Sequence, residues 1–416
     1  MKGAMRSRSF SFFQLEETME DRNNVQAQDT REIAPAKPRA VQTAGTPQAP
    51  QTPQTETSYR SRSRRKRQKK HIFGKFLLVV FTTIIAIALA LLITVSTIIN
   101  GPSESARDTF VTTVLESGNL KFVAKIFLTP EQINEIVSKT SMKEMDTHIN
   151  EDLIETDTPV EGNFDENGVE IIELNGRSFH ATLMIVADPS KVIVGSTYPW
   201  SEYGKELGVL VSDYGAIGGI NGGLYAADGN KGGRPYGLCI SRGDVQLNNP
   251  SGLAGLYLIG FDNNNLLRIE KIEGWTQSKL RDYIEAEGIR DAVAFQDEAS
   301  DSNNHFVPLI INGVARELNG AGSGANPRTV IGQRADGAVL LLVTDGRGSG
   351  GHLGATASDL ISIMLQYGAV NAANLDGGSS SCMYYEDDYL MTSVTLYYAN
   401  ASWKLPTAFL VMGGER

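Results

Sequence analysis

The sequence predicts an α+β fold of mixed, mainly antiparallel sheets with a few covering helices, preceded by a single transmembrane helix and a short helical stalk. Three observations carry this. An uncharged apolar run begins at Phe76, and segments with helix start and stop signals follow it. From Val169 onward, short β-rich runs alternate with Gly, Asn and Asp turns.

Residues 1–71 read as a disordered, basic cytoplasmic tail. The stretch "APAKPRAVQTAGTPQAPQTPQTETS" has no apolar periodicity, so it buries too little surface to offset the entropy of ordering. Sixteen of the 38 Lys/Arg but only seven of the 48 Asp/Glu lie in residues 1–75, leaving 22 basic against 41 acidic residues beyond them. A nucleic-acid binder carries its positive charge on the folded part; here that part is acidic, so no nucleic-acid partner is expected.

Residues 72–100 are the expected membrane helix. Phe76–Ile99 holds 24 residues without a charge, roughly 36 Å of helix against a hydrocarbon core of about 30 Å. The basic run "RSRSRRKRQKKHIFGK" precedes it and little positive charge follows. The positive-inside bias therefore puts the N-terminus in the cytoplasm and the rest outside, with 76–99 in contact with lipid. A signal peptide has a shorter apolar region, and its charged region does not follow some seventy residues of polar chain. A helix packed on one side of a domain keeps a polar face, and this run is apolar on every face over 24 residues, which disfavours a core helix.

Residues 101–150 read as an extracytoplasmic helical stalk of two helices. Ser103 or Ser105 caps the first, with Phe110, Val111, Val114 and Leu115 on one face; Thr129 caps the second, with Pro130 at its first position. Residues 151–177 form a linker or the start of the domain, and 178–416 the domain itself. Two helices interrupt its strands: "WTQSKLRDYIEAEG", and "ATASDLISIMLQYG" with a capping box from Thr356 to Asp359. The two cysteines, Cys239 and Cys382, form either one disulfide or two buried inert thiols.

Four segments end strand-like runs in polar, glycine-rich loops. "AIGGINGGLYAADG" holds Asn221 before Gly222 and Gly223, where backbone approaches a ligand closely, unless this is only a β-turn. "NPRTVIGQ" leads Arg328 into a strand, to fix a phosphate or carboxylate or to pair with a surface acid. "AVLLLVTDGRGSGGHLGATASDL" delivers Asp345 and Arg347 into a glycine loop before a helix N-terminus, a natural anion site. "AVNAANLDGGSSSCMYY" is expected as a strand returning beside the one that ends at Asp345, which brings Asp345 and Asp376 to one rim. Paired carboxylates in unlike environments are suited to acid–base work at a glycosidic bond.

No metal site is expected. The five histidines lack paired ligand spacing, and only His352 has an active-site address. The Gly-x-Ser-x-Gly elbow of a serine hydrolase is absent. The tyrosines of "MYYEDDY" and "LYY" read as core or as a sugar-stacking wall.

Taken in order, "INGGLY", "GRPYGLCI", "NPRTVIGQ", "TDGR" and "ANLDGGSSS" resemble the phosphodiester glycosidase family over residues 178–413. Two departures stand out: Leu224 displaces the usual aromatic, with Tyr225 next, and Ser379 replaces a third glycine. The resemblance implies cleavage of a sugar 1-phosphodiester on the glycosidic side, without a cofactor, in an envelope or exopolysaccharide glycan. It implies Asp345 and Asp376 as the carboxylate pair, one supporting a cationic sugar and one activating water, with interchangeable roles. Arg328 and Arg347 would hold phosphate with the backbone donors of Gly377, Gly378 and Ser379. Asn221 and Asn374 would bind the sugar, and Gly222, Gly223, Tyr225 and Ser380 would complete the substrate site. Two other classes stay open: a non-catalytic glycan-binding module, and a phosphodiesterase that cuts the P–O bond with a metal.

Overall fold

The computed structural model describes residues 59–117, 120–226, 229–299, 304–394 and 401–414. The expected disorder of the tail before residue 59 and the tyrosines of "LYY" lie outside the described residues. The chain forms two compact units, 1–77 and 78–416. The described part of the first is helical from Tyr59, where α1 (Tyr59–Asn100) begins. Within α1, Ile72–Asn100 contains an 18-residue window with a mean hydropathy of 3.1, and it is long and apolar enough to cross a membrane.

In the second unit, α2 (Glu104–Leu115), α3 (Lys121–Phe127) and α4 (Pro130–Lys139) follow. Ser103 caps α2 by accepting the Ala106 N–H, and Thr129 and Gln132 form a reciprocal capping box on α4. Val111, Val114, Leu115, Ala124, Ile133 and Ile136 pack into a core of their own. The sequence signals two helices here and the structure has three. The middle one has no side-chain cap and buries only Ala124, so it leaves little trace in the pattern.

The remaining fold is α+β, with three principal sheets that are antiparallel throughout. The largest runs β1 (Val169–Asn175), β2 (His180–Val186), β15 (Val339–Thr344), β14 (Arg328–Arg334), β16 (Ala369–Asn374), β12 (Pro308–Ile311), β13 (Val314–Ala315). The second runs β18 (Asp388–Met391), β17 (Met383–Tyr385), β4 (Ala216–Asn221), β19 (Thr407–Met412), β3 (Val192–Ser196). The third runs β6 (Asp244–Asn249), β5 (Gly237–Ser241), β9 (Ile289–Gln296), β7 (Leu256–Asp262), β8 (Leu267–Lys271); β10 (Glu298–Ala299) and β11 (Asn304–His305) form a separate short ribbon.

Period-2 alternation sorts each strand between two cores. Val339, Leu341 and Val343 of β15, Val293 and Phe295 of β9, and Phe409 and Val411 of β19 enter one core shared by all three sheets. Their neighbours Leu340 and Leu342, Ala292 and Ala294, and Ala408 and Leu410 face outward, each set under its own helix. These helices are α7 (Ala357–Gln366), α6 (Gln277–Glu287) and α5 (Leu207–Tyr214), respectively. α5 is a third domain helix where the sequence signals two. It is short and Glu206 gives it no side-chain cap, so only the left-handed Gly215 marks it.

One expectation about the sheet is corrected. β16 does not lie beside β15; β14 stands between them, paired with both. All three strands bury both faces, so their apolar patterns carry no label of which neighbours which.

Candidate active site

The antiparallel order brings the start of β14 and the ends of β15 and β16 to one edge of the large sheet. Arg328 pairs with Thr344, and Val330 with Asn374. Asn221, at the end of β4, reaches the same place from the second sheet. Its side-chain N–H donates to the Asp376 carbonyl at 2.7 Å. The Asp376 loop is fastened further where Leu375 N donates to Thr329 O at 2.8 Å and Gly378 N to Pro327 O at 2.8 Å.

Asp376 keeps partial contact with solvent. Desolvation by the surrounding protein pushes its pKa up to about 6; hydrogen bonds from Ser380 and the Gly377 N–H, and the charge of Arg347, pull the other way. Tyr225 Oη lies 2.9 Å from Ser380 Oγ. With the Ser380 proton directed at Asp376, the tyrosine is the donor in that second bond, and the three residues form one hydrogen-bonded chain. Burial, reinforced by the charge of Asp376, raises the Tyr225 pKa well above its ordinary value, which keeps the phenol protonated.

The two arginines differ. Arg347 is exposed, with Nη1 donating to Ser379 Oγ at 3.1 Å and Nε to Asn326 Oδ1 at 3.3 Å. Desolvation of its head group and the like charge of Arg328 lower its pKa, but a guanidinium stays charged at any physiological pH. Gly378, at φ +64°, lets this guanidinium close in; a Cβ there would stand 2.7 Å from Nη2. Arg328 is 7% exposed and occupied: it donates to Gly324 O at 2.8 Å, to Ser323 Oγ at 3.2 Å and to the carboxylate of Glu116.

Asp345 is turned toward β2. Oδ1 accepts the His180 N–H at 2.7 Å, and Oδ2 lies 2.6 Å from His352 Nδ1. Its side chain is 9% exposed against 33% for His352, so solvent meets the imidazole rather than the carboxylate. The arrangement is a carboxylate orienting a histidine.

The structure places the other expected site residues as follows. β14 stands between the strands that lead into Asp345 and Asp376, and Asp345 is bonded toward β2 and His352. Asn221 is 0% exposed, and its Oδ1 accepts from Thr329 Oγ1 at 2.8 Å and Cys382 N at 3.2 Å, so it clamps the Asp376 loop. Asn374 is buried with its amide N–H groups donated to Phe306 O and Leu375 O, each at 3.0 Å. Gly222 packs on Thr407, and Gly223 on Val293 and the Ala294 carbonyl, so this pair closes sheet against sheet rather than admitting a ligand. The Gly377 and Gly378 N–H donors are consumed by the Asp376 carboxylate and Pro327. Arg328 is paired inside the protein with Glu116. Asp376, Ser379, Ser380, Tyr225 and Arg347 do come together. Glu116 and the partnership of His352 with Asp345 carry no motif; only the position of His352 after "TDGR" signals it.

Cys239 and Cys382 are buried, free thiols, both raised in pKa by burial, Cys382 to about 12. Tyr384 and Tyr389 meet edge-to-face at 4.9 Å and serve packing. Among the described residues, no group of three or more His, Cys, Asp or Glu is arranged to hold a metal ion.

Residues 214–412 match the family model described as phosphodiester glycosidase. Among solved structures, the chain is similar to the zebrafish N-acetylglucosamine-1-phosphodiester alpha-N-acetylglucosaminidase catalytic domain auto-inhibited by pro-peptide. The identity is 16% and the TM-score 0.45, over 60% of this chain and 82% of that one. It is also similar to a hypothetical protein from Synechocystis, at 16% identity and a TM-score of 0.36, over 59% and 62% of the two chains. A 65-residue stretch, 16% of this chain, is 45% identical to the SPbeta prophage-derived uncharacterized protein YomE of Bacillus subtilis (strain 168) and spans 10% of that relative's length.

Proposed function

We propose, for a chain whose residues 214–412 belong to the phosphodiester glycosidase family, that it is a membrane-anchored hydrolase of a sugar 1-phosphodiester in an extracytoplasmic envelope glycan. In this reading residues 1–71 are cytoplasmic, 72–100 cross the bilayer, 101–150 stand next to it, and 178–416 carry the reaction. The anomeric C–O bond breaks, its electron pair leaves with the phosphate oxygen, and water adds at the sugar carbon. A phosphomonoester departs easily, so the protein's work is to stabilise the cationic sugar and grip the phosphate.

The observation that carries this is Asp376, a partly exposed residue whose desolvated carboxyl is raised to about 6 and set beside the exposed Arg347. Ionised at neutral pH, Asp376 faces the developing positive charge while Arg347 takes the phosphate. His352, held by Asp345, accepts the proton of the attacking water.

The test is incubation of the full chain with an aryl N-acetylglucosamine 1-phosphodiester in water labelled with heavy oxygen, with and without chelator. Free sugar carrying the label, plus aryl phosphate, is the expected product pair in both samples. Release of sugar 1-phosphate, or activity lost to chelator, refutes the reading in favour of P–O cleavage.

A further inference from the structure

Glu116 reaches the site from the end of α2, almost a hundred residues ahead of the segment that matches the family. Its side chain is 3% exposed and paired with Arg328. One carboxylate oxygen accepts the Gly324 N–H at 2.6 Å, and the other accepts Asn326 Nδ2 at 3.0 Å. Thr113, one turn earlier, accepts the Ala325 N–H through Oγ1 at 3.0 Å, so the end of α2 is seated along residues 324–326.

The chemistry of Asn326 gives this docking a consequence. An ionised carboxylate only accepts hydrogen bonds, so the amide must turn its NH2 toward Glu116 and its oxygen away. That oxygen receives Arg347 Nε at 3.3 Å, and Arg347 Nη1 goes on to Ser379 in the Asp376 loop at 3.1 Å. Arg328 is buried and paired with Glu116 whereas Arg347 is exposed, so Arg347 is the arginine that meets an anion from solvent. We propose that Glu116 is a positioning residue: by fixing the orientation of Asn326 it aims Arg347 at the substrate phosphate, so the membrane-proximal helices are part of the working site. The proposal rests on the phosphodiester glycosidase reading given above.

The experiment uses the full chain in detergent micelles, with Glu116→Gln, Asn326→Ala and the double variant. Two quantities are read beside the thermal midpoint: KM for the aryl diester, and the affinity for inorganic phosphate by calorimetry. Each single variant is expected to raise KM and weaken phosphate binding about tenfold, the scale of one charge-assisted hydrogen bond. The double variant should be no worse than either single one, because both act through the same guanidinium. Unchanged KM and phosphate affinity in a folded Glu116→Gln protein, or an additive double variant, overturns the proposal and leaves Glu116 a structural ion pair. A gain in activity also overturns it, since the carboxylate would then be a plug. Where Glu116→Gln fails to fold, Asn326→Ala decides alone on the same criterion. A wild-type protein that binds phosphate in this pattern without turnover refutes the hydrolase reading and leaves the positioning intact; one that binds no phosphate overturns the positioning.

Discussion

Replacing Asp376 by Asn separates the cost of the site from its use. Burial moves the Asp376 pKa from 3.8 to about 6 in the folded protein, which corresponds to about 3 kcal/mol. The sign follows from proton counting. Between about pH 4 and 6 the native state holds a proton that the unfolded chain has released. The residue is therefore tolerated without cost below about pH 4 and destabilises the fold increasingly as the pH rises through 6. Asn carries no charge to desolvate. Asp376→Asn should be more stable than wild type by about 2–3 kcal/mol at pH 7.5 and no more stable at pH 4. All three tryptophans, Trp200, Trp275 and Trp403, lie in the domain, so urea unfolding of the full chain followed by their fluorescence reports on it directly. Hydrolysis of the aryl diester should fall at least about a hundredfold in the same variant, and wild-type kcat/KM should rise with pH through about 6 as the carboxylate ionises. Equal stability of the two proteins at both pH values, or a less stable variant at pH 7.5, would show that Asp376 is not a desolvated carboxylate.

Gly378→Ala should cost about 1–3 kcal/mol for the left-handed backbone and displace Arg347, whose Nη2 a Cβ would meet at 2.7 Å; KM for the diester should rise while kcat changes less. Asn221→Ala leaves the Cys382 N–H without its acceptor and removes one of the two partners of the Thr329 hydroxyl, so the free energy of urea unfolding should fall by about 1–3 kcal/mol and activity should fall as the Asp376 loop loosens. Cys239 and Cys382 should stay unreactive toward a disulfide thiol reagent until the protein unfolds, with two equivalents appearing then and no change in melting temperature on reduction.

Local chemistry was legible because the residues that make it lie within a few positions of one another. Thr356 with Asp359 and Thr129 with Gln132 form the capping boxes their spacing announces. Asn312 and Gly313 take the positive φ angles that an Asn-Gly hairpin requires. Sheet order was not legible. Nothing local distinguishes β14 from β15 as the neighbour of β16, so the strand that stands between Asp345 and Asp376 along their shared edge left no mark in the sequence. Asn221 shows the same limit at one residue: an amide after a strand serves a ligand or a loop equally well in the sequence, and its bonds to the Asp376 loop appear only in the fold. Glu116 lies furthest out of reach, since a Glu at a helix end reads as solvated charge and its partner Arg328 is 212 residues away. Asp376 combines both cases. The glycines and serines around it mark a tight polar turn, but the burial that lifts its pKa, and the Arg347 charge that offsets it, depend on how the sheets pack around that turn. Its candidacy is written locally; its chemistry is set by the fold.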